Sequence, residues 1–321
     1  MNDMNSLSTV LFLYGEDAGR DDVPFADSSI QDASYRAFYT RAIERYDLQV
    51  VRASVDSFKD GVWSQYWAFN GDQWVKHHES IAADIVIDKS AFNLQKHQQH
   101  QEIQQHTILL NPWEIKTITS DKLITGIAFP DYVPQSRVVY STEELLVAID
   151  AVETAEVVVK PQYGFGGTGV QILPHEDARK LQIDTPHIVQ PCIDTSGGIA
   201  NIVDGYHDMR VVIMGGNPVF AYIRTPAPGS KLCNLTQGGD PICVPLSEIP
   251  SAALTIVEDV RRRFSVFPHS IYCIDFLFDE HQRPWIVELT NSPGIFYPPG
   301  SDELQELAIE AYMKYCVSLL K

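Results

Sequence analysis

The chain carries an apolar strand-like run, Val157-Val158-Val159, that passes directly into Lys160-Pro161. The glycine-rich stretch Gln162-Tyr163-Gly164-Phe165-Gly166-Gly167-Thr168-Gly169-Val170 follows at once. A lysine delivered by a strand ahead of four glycines suits a phosphate ligand. Backbone N–H groups without a Cβ in the way approach phosphate oxygens closely, and the ammonium adds charge. The order excludes a Walker A loop, because no Gly-Lys-Ser/Thr closes it. It also excludes a dinucleotide fingerprint, because the lysine precedes the glycines. Taken alone, a purely structural glycine hairpin would leave the same trace.

Asp275 interrupts the apolar run 271–278, where a carboxylate is costly unless paired or bound to a cation. Glu288 lies in the next strand-like run, with Thr290 and Asn291 just behind. Two carboxylates and a side-chain oxygen suit magnesium, which takes few protein oxygens and keeps water and phosphate in its shell. A buried, hydrogen-bonded acid is the alternative. Asp208-Met209-Arg210 places an acid and a base on one strand face. Arg224, Asn234 and Gly238-Gly239 follow, and Lys122 precedes them all.

These residues need a frame. Runs 9–15, 48–53 and 81–88 read as strands and 28–46 as a helix, an order that predicts a parallel α/β unit. Asn70-Gly71 centres a hairpin over 66–76. Trp63, Trp67 and Trp74 there are expected to pack, although a ligand platform is the other reading. His97 and His100 stand one helical turn apart, with no carboxylate or cysteine at ligand spacing. A solvated helix face is expected over a metal site. Pro112 and the polar stretch at Thr119-Ser120 read as a boundary. Beyond it come helices at 142–152, 251–264 and 303–320. Strands are expected at 157–160, 187–190, 210–214, 219–224, 271–278 and 285–289, with Gly215-Gly216-Asn217 as a tight turn. Arg261, Arg262 and Arg263 read as a solvated helix end rather than a phosphate site.

The 321 residues suggest two or three structural units, and 45% hydrophobic composition supports real cores. With 24 Lys plus Arg against 42 Asp plus Glu, the formal charge of -18 opposes nucleic acid and anionic membranes. Any phosphate must therefore be held by a local group of cations and metal. The five cysteines, Cys192, Cys233, Cys243, Cys273 and Cys316, contain no CxxC pair and imply no disulfide framework. The run 10–14 is too short for a span, and the preceding residues carry Asp3 and no Lys or Arg. A cytoplasmic enzyme is the expectation.

In order, Lys122, Lys160 with its glycine loop, Gln190-Pro191-Cys192-Ile193, Asp208-x-Arg210, Arg224, Asn234-Leu235-x-x-Gly238-Gly239, Asp275, Glu288 and Ser292-Pro293-Gly294 resemble the ATP-grasp superfamily. The nearest branch is that of glutathione synthetase and the ribosomal-protein glutamate ligases. The resemblance covers about residues 116–321. It implies an ATP-grasp fold of α/β (α+β) class. A parallel α/β domain over 1–115 would precede a lid subdomain over 116–190 and a metal-bearing subdomain over 191–321. Lys122 and Lys160 would bind ATP phosphates under a lid formed by residues 164–169, including Gly164, Gly166, Gly167 and Thr168. Residues Gln190, Pro191, Cys192 and Ile193 would meet adenine, and Asp194 the ribose. Asp208, Arg210 and Arg224 would line the γ-phosphate region, faced by Asn234 and Gly239. Asp275 and Glu288 would hold magnesium, or manganese, with Thr290 or Asn291 as third ligand.

Two departures stand out. Pro191 occupies a hinge position where the glutamate ligases often have an acid, and it has no N–H to offer adenine. Thr290 stands where relatives usually place an asparagine, with Asn291 one residue further. The implied chemistry is an ADP-forming carboxylate–amine ligation through an acyl-phosphate, with Arg224 meeting the tetrahedral oxyanion. No Gly-x-Ser-x-Gly or other local nucleophile signature competes. Small amino acids or peptides are the expected substrates. A ligase acting on a protein tail, a small-molecule kinase and a non-catalytic ATP-binding module are the alternatives, and a homodimer is allowed. The N-terminal domain would shape the substrate pocket through Gly15 to Arg20 or through Lys89-Ser90.

Overall fold

The computed structural model describes residues 7–15, 23–25, 28–164 and 166–321. Residues 1–6, 16–22, 26–27 and 165 lie outside the described residues, and with them all but Gly15 of the segment from Gly15 to Arg20. The elements run β1 (Ser8–Tyr14), α1 (Ser29–Tyr46), β2 (Leu48–Ser54), β3 (Phe58–Lys59), β4 (Val62–Trp63), β5 (Tyr66–Phe69), β6 (Trp74–His77), β7 (Ile85–Asp88), α2 (His97–His106) and β8 (Ile108–Leu110). They continue α3 (Trp113–Ser120), α4 (Lys122–Ala128), β9 (Arg137–Val139), α5 (Thr142–Asp150), β10 (Glu156–Pro161), β11 (Gln171–Pro174), α6 (His175–Ala178) and β12 (His187–Pro191). The last are β13 (Asp208–Met214), β14 (Asn217–Thr225), β15 (Asp240–Val244), α7 (Ser251–Phe264), β16 (Ile271–Phe278), β17 (Pro284–Thr290) and α8 (Asp302–Leu319).

Two compact units form. The first takes the chain to Glu114 together with Phe267–Ile271 and Ser292–Lys321. Its sheet has the order β6-β5-β2-β1-β7-β8. Strand β1 pairs in parallel with both β2 and β7, and β7 in parallel with β8. The expected parallel unit is therefore present, with the Asn70-Gly71 hairpin added antiparallel at its edge. Ser28 caps α1 by accepting from the Gln31 N–H, and α8 packs on α1 through Phe38 and Tyr312. Trp63, Trp67 and Trp74 are buried packing residues, and Trp63 lies in β4 rather than the hairpin. The expected strand at 81–88 is shorter. Residues 85–88 join the sheet, while Ile81 makes only an isolated bridge to Trp63. His100 departs from its expected solvated face: it is 1% exposed and lies 3.0 Å from the Asp88 carboxylate. Asp88 is twelve positions away in sequence, so helix spacing could not reveal it.

The second unit spans Ile115–Val266 and Tyr272–Asn291. Thr119 and Ser120, read as a boundary, instead end helix α3. An antiparallel sheet of order β11-β10-β12-β9 is backed by a core that includes Val139, Leu145, Ile149, Val157, Val159 and Val189. Ser141 caps α5 by accepting from the Glu144 N–H, and Glu144 reaches back to accept from the Tyr140 N–H. A second sheet runs β15-β14-β13-β16-β17. The side chains of Arg261, Arg262 and Arg263 are largely exposed and pair with Glu258 and Asp259, as the solvated reading expects. No helix among the described residues is long and apolar enough to cross a membrane.

Candidate active site

Alternation along β10 sorts its side chains. Val157 and Val159 face the core, while Val158 and Lys160 turn to a cleft inside the second unit. Lys122, Lys160, Gly164, Gly167, Thr168, Gln190, Pro191, Ile193, Asp208, Arg224, Asn234, Asp275 and Glu288 all line it. Residues dispersed over 167 positions are thus gathered on one surface.

The two lysines are held differently. Lys160 is 4% exposed and donates to the Val287 carbonyl at 3.3 Å. That carbonyl is available because the β16–β17 ladder shifts register there: Asp275 faces Glu288, whereas Phe276 faces Ile286, so Val287 is the bulged residue. Burial, with help from neighbouring Lys122 and against Glu288, lowers the Lys160 ammonium to about 8. Lys122, the first residue of α4, donates to the Gly164 carbonyl at 2.6 Å and lies 3.7 Å from Glu288. Burial lowers its pKa as well.

Sequence reading passed over a buried pair that anchors the backbone at Lys122. Asp121 caps α4 by accepting from the Leu123 N–H at 2.8 Å. The same carboxylate accepts the Gln162 side-chain amide at 2.9 Å through each oxygen. The Gln162 carbonyl in turn accepts the Lys122 N–H at 3.2 Å. A helix start and the entrance to the glycine loop are tied through two buried side chains 41 positions apart, a separation no local pattern reveals.

The glycine loop lies against residues 234–237. Thr236 donates to the Gly166 carbonyl at 2.9 Å. Gly167 has φ +75, and a Cβ there would sit 2.4 Å from the Asn234 side-chain oxygen. Gly239 is not among the cleft-lining residues. It donates to the Asn234 carbonyl at 3.2 Å, and a Cβ on it would meet the Cys233 carbonyl at 2.4 Å.

Along the hinge, Gln190 donates to Ser136 at 2.6 Å and to the Pro134 carbonyl at 3.3 Å. Pro191 lacks an N–H. The Cys192 N–H donates to Thr154 at 3.2 Å and to the Glu156 carbonyl at 3.4 Å. Asp194 lines an adjoining cavity with Cys192, Tyr206 and Lys231, and accepts the Ser196 N–H at 2.9 Å. Lys231 lines both cavities, pairs with Glu156 and lies over the Tyr206 ring at 5.4 Å. It was missed by sequence. The available signal was its scarcity, as one of few cations in an acidic chain. Val158 and Ile172, directly opposed across β10 and β11, supply apolar wall.

Four charged residues form a chain at the base. Arg224 grips Asp208 through two bonds of 2.6 and 2.8 Å and donates to Asp275 at 2.9 Å. Arg210 grips Asp275 at 2.7 and 2.6 Å. Burial opposes ionisation of Asp275, but the two guanidinium groups prevail and hold it below the usual carboxylate range. Burial prevails at Asp208, which is raised. Glu288 is also raised, by burial first and by Asp275, against Lys122.

The donor set fits a hard cation. Asp275 and Glu288 oppose each other across two strands. Thr290, two residues on and on the same side, has a buried hydroxyl without a hydrogen-bond partner among the described residues. The Asn291 side-chain nitrogen donates to Thr119 at 2.9 Å and Ser120 at 3.1 Å. No group of three His, Cys, Asp or Glu side chains is placed to hold a metal among the described residues. The candidate ligands are therefore two carboxylates, with the Thr290 hydroxyl or the Asn291 amide oxygen as the third. Outside this unit, Lys89 donates to the Pro293 carbonyl at 2.5 Å and to the Tyr312 hydroxyl at 3.2 Å, and Ser90 donates to Asp88 at 2.6 Å.

Residues 121–267 match the ATP-grasp domain model of prokaryotic glutathione synthetase. The solved structure of the ATP-grasp ligase PsnB, complexed with a phosphomimetic variant of its minimal precursor, magnesium and ADP, aligns with TM-score 0.61. That alignment has 12% identity and covers 99% of this chain and 100% of PsnB. This is an ATP-grasp fold. Within that fold, the chain is 29% identical over 157 residues to a glutathione synthetase of Anaplasma centrale, covering 44% of this chain and 47% of the relative. It is 25% identical over 169 residues to a probable alpha-L-glutamate ligase of Alcanivorax borkumensis, covering 51% of each. The chain therefore spans about half the length of these curated relatives. The matched part of the ATP-grasp chain holds the glycine loop, the hinge and the Asp208–Arg224 pair.

Proposed function

We propose that this ATP-grasp protein is an ADP-forming carboxylate–amine ligase acting on an amino acid or small peptide. The observation that carries the reading is the convergence of Lys122, Lys160, the glycine loop and the opposed Asp275–Glu288 pair on one cleft. Lys122 and Lys160 would hold nucleotide phosphates. Pro191 and Ile193 would border adenine, and because Cys192 already spends its N–H within the protein, Ile193 is the proposed donor. Asp194 would reach the ribose from the adjoining cavity. Asp275, Glu288 and Thr290 would hold magnesium, which supplies positive charge against phosphate oxygens. Residues 116–190 and 191–321 would then provide the lid and metal-bearing parts.

The chain's own groups divide the remaining work. Lys160 and Arg210 would neutralise charge on the phosphoryl group passing to the substrate carboxylate. Arg224, fixed by Asp208 and Asp275, would face the oxyanion formed when an amine attacks the acyl-phosphate. Closure of 164–169 would exclude water, which would otherwise hydrolyse that intermediate. A kinase needs only the first half of this apparatus.

The test uses substrate carboxylate labelled with heavy oxygen in a screen of amino-acid and dipeptide pairs. The ligase reading requires one labelled oxygen in released phosphate, together with ADP and an amide product. A stable phosphorylated product without labelled phosphate would mark a kinase. AMP with pyrophosphate would mark an adenylating enzyme.

A further inference from the structure

The second unit carries another groove, lined from both α4 and the edge strand β17, that shares only Pro134 with the nucleotide cleft. Leu123 and Ile127 stand four apart on α4 and give it an apolar side, which Val133 and Trp285 extend. Ile127 is 69% exposed, so this apolar surface lies open. The loop between α4 and β9 is fixed against the groove. The Ile286 N–H of β17 donates to the Tyr132 carbonyl at 2.8 Å, and Arg283 donates to the Asp131 carbonyl at 3.0 Å. A depression with apolar walls and a few placed polar groups is what small ligands occupy.

Its charged lining is one cation and one anion, Arg283 and Asp131. The Arg283 guanidinium lies over the Trp285 ring at 3.9 Å, and that ring is anchored by donating to the Asp279 carboxylate at 2.9 Å. Stack and carbonyl together fix the plane of the guanidinium, which has further N–H groups for a carboxylate. The bond to Asp131 goes to its backbone and not to its carboxylate, so the acid keeps its charge for another partner. A fatty acid or an inorganic anion would meet Asp131 as like charge. An amine without a carboxylate would meet Arg283 in the same way. A zwitterion complements both, and it feels no net long-range force from a chain of charge -18.

We propose that this groove is an effector site for a zwitterionic α-amino acid with an apolar side chain. Arg283 receives the carboxylate, Asp131 the ammonium, and Leu123, Ile127 and Trp285 the side chain. The groove reaches the nucleotide cleft by two routes. Helix α4 begins at Lys122, and Gln190 of the hinge donates to the Pro134 carbonyl and to Ser136, both of the groove. An occupant therefore braces parts that also border the nucleotide, and the two ligands must influence each other's affinity equally. The inference rests on nucleotide binding in the cleft and not on the ligase reading.

Calorimetric titration of the full chain tests this, with L-leucine and L-phenylalanine as probes. Isopentylamine, which is L-leucine without its carboxylate, and 4-methylpentanoate, which lacks the ammonium, are the controls. One or both amino acids are expected to bind saturably, and both controls about tenfold more weakly or worse. Arg283→Gln and Asp131→Asn should each weaken amino-acid binding by a similar factor. Both positions are exposed, and melting temperatures check that the variants fold. Affinity for a non-hydrolysable ATP analogue, measured first alone, should shift when amino acid saturates the protein. Arg283→Gln should abolish that shift and leave affinity for the analogue alone unchanged. Absence of amino-acid binding, or of any shift in nucleotide affinity, would overturn the proposal. Unchanged binding in both variants would overturn it too, by placing the amino acid elsewhere, as in a ligase's substrate site, with the ligase reading intact. Dimerisation seen by sedimentation velocity and abolished by Ile127→Asp would make a second copy the occupant, against the proposal.

Discussion

Lys160 pays a desolvation cost that gives its role a measurable pH signature. Its ammonium titrates near 8 in the folded protein against 10.5 for an unburied lysine. Between those values the unfolded chain binds more protons, so stability contributed by this residue rises with pH; below 8 the cost is fully present. Lys160→Met should therefore be more stable than wild type at pH 7, with the advantage shrinking from pH 8 upward, as chemical denaturation would show. Nucleotide phosphate favours the charged form, so ATP affinity should fall above pH 8 and binding there should take up a proton. Calorimetry in buffers of different ionisation enthalpy reads that proton directly. Lys160→Ala should weaken ATP binding by roughly 10- to 100-fold, the loss of one charge-assisted contact. Unchanged affinity would remove Lys160 from the nucleotide site. At the metal pair, Thr290→Ala should raise the magnesium concentration needed for turnover more than Asn291→Ala does, because the buried Thr290 hydroxyl has no hydrogen-bond partner among the described residues. The opposite ranking would reassign the third oxygen.

At the scale of elements, the glycine loop and β10 act as one device. Gly167→Ala combines a positive φ with a 2.4 Å approach to the Asn234 oxygen, so the loop must lift to admit a methyl group. Turnover should fall with little change in melting temperature, and product hydrolysed without amine incorporation should increase if the loop excludes water. Unaltered coupling of ATP use to amide formation would separate the loop from that task. Much of this device was readable beforehand, since alternation along Val157–Lys160 already assigns Lys160 to the face opposite the core. Strand β15 was not, because Asp240-Pro241-Ile242-Cys243-Val244 opens with an acid and a proline. The three-residue β9 and four-residue β11 were too short to show a period. Tertiary partners were the other blind spot. Asp121 with Gln162, and Asp88 with His100, are meetings between distant segments that no window along the chain contains.

Across the whole molecule, the acidic surface sets the approach of an anionic nucleotide. A chain of charge -18 repels ATP at long range, while the lysines attract it only inside the cleft. The repulsion extends over a Debye length of about 30 Å at 0.01 M salt and about 8 Å at 0.15 M. The association rate of ATP, followed by stopped-flow fluorescence, should thus rise or stay level over that range. A steep fall would show that the local cations govern encounter. The composition made this legible before any fold was known, whereas the two-unit division, in which the last helix returns to the first unit, follows from packing of α8 on α1.

The alternating chain Arg210–Asp275–Arg224–Asp208 has two positive and two negative members and is electrically self-contained. Removing one member strands its neighbour as an odd charge away from water, at a cost of about 3–5 kcal/mol. Removing an adjacent acid and base together restores parity. The double variant Asp208→Asn with Arg224→Gln should accordingly lose less stability than its single variants summed, a coupling that a thermodynamic cycle measures. Inherited change at these four positions would then have to travel in pairs, so that the quartet drifts as a unit or stays still.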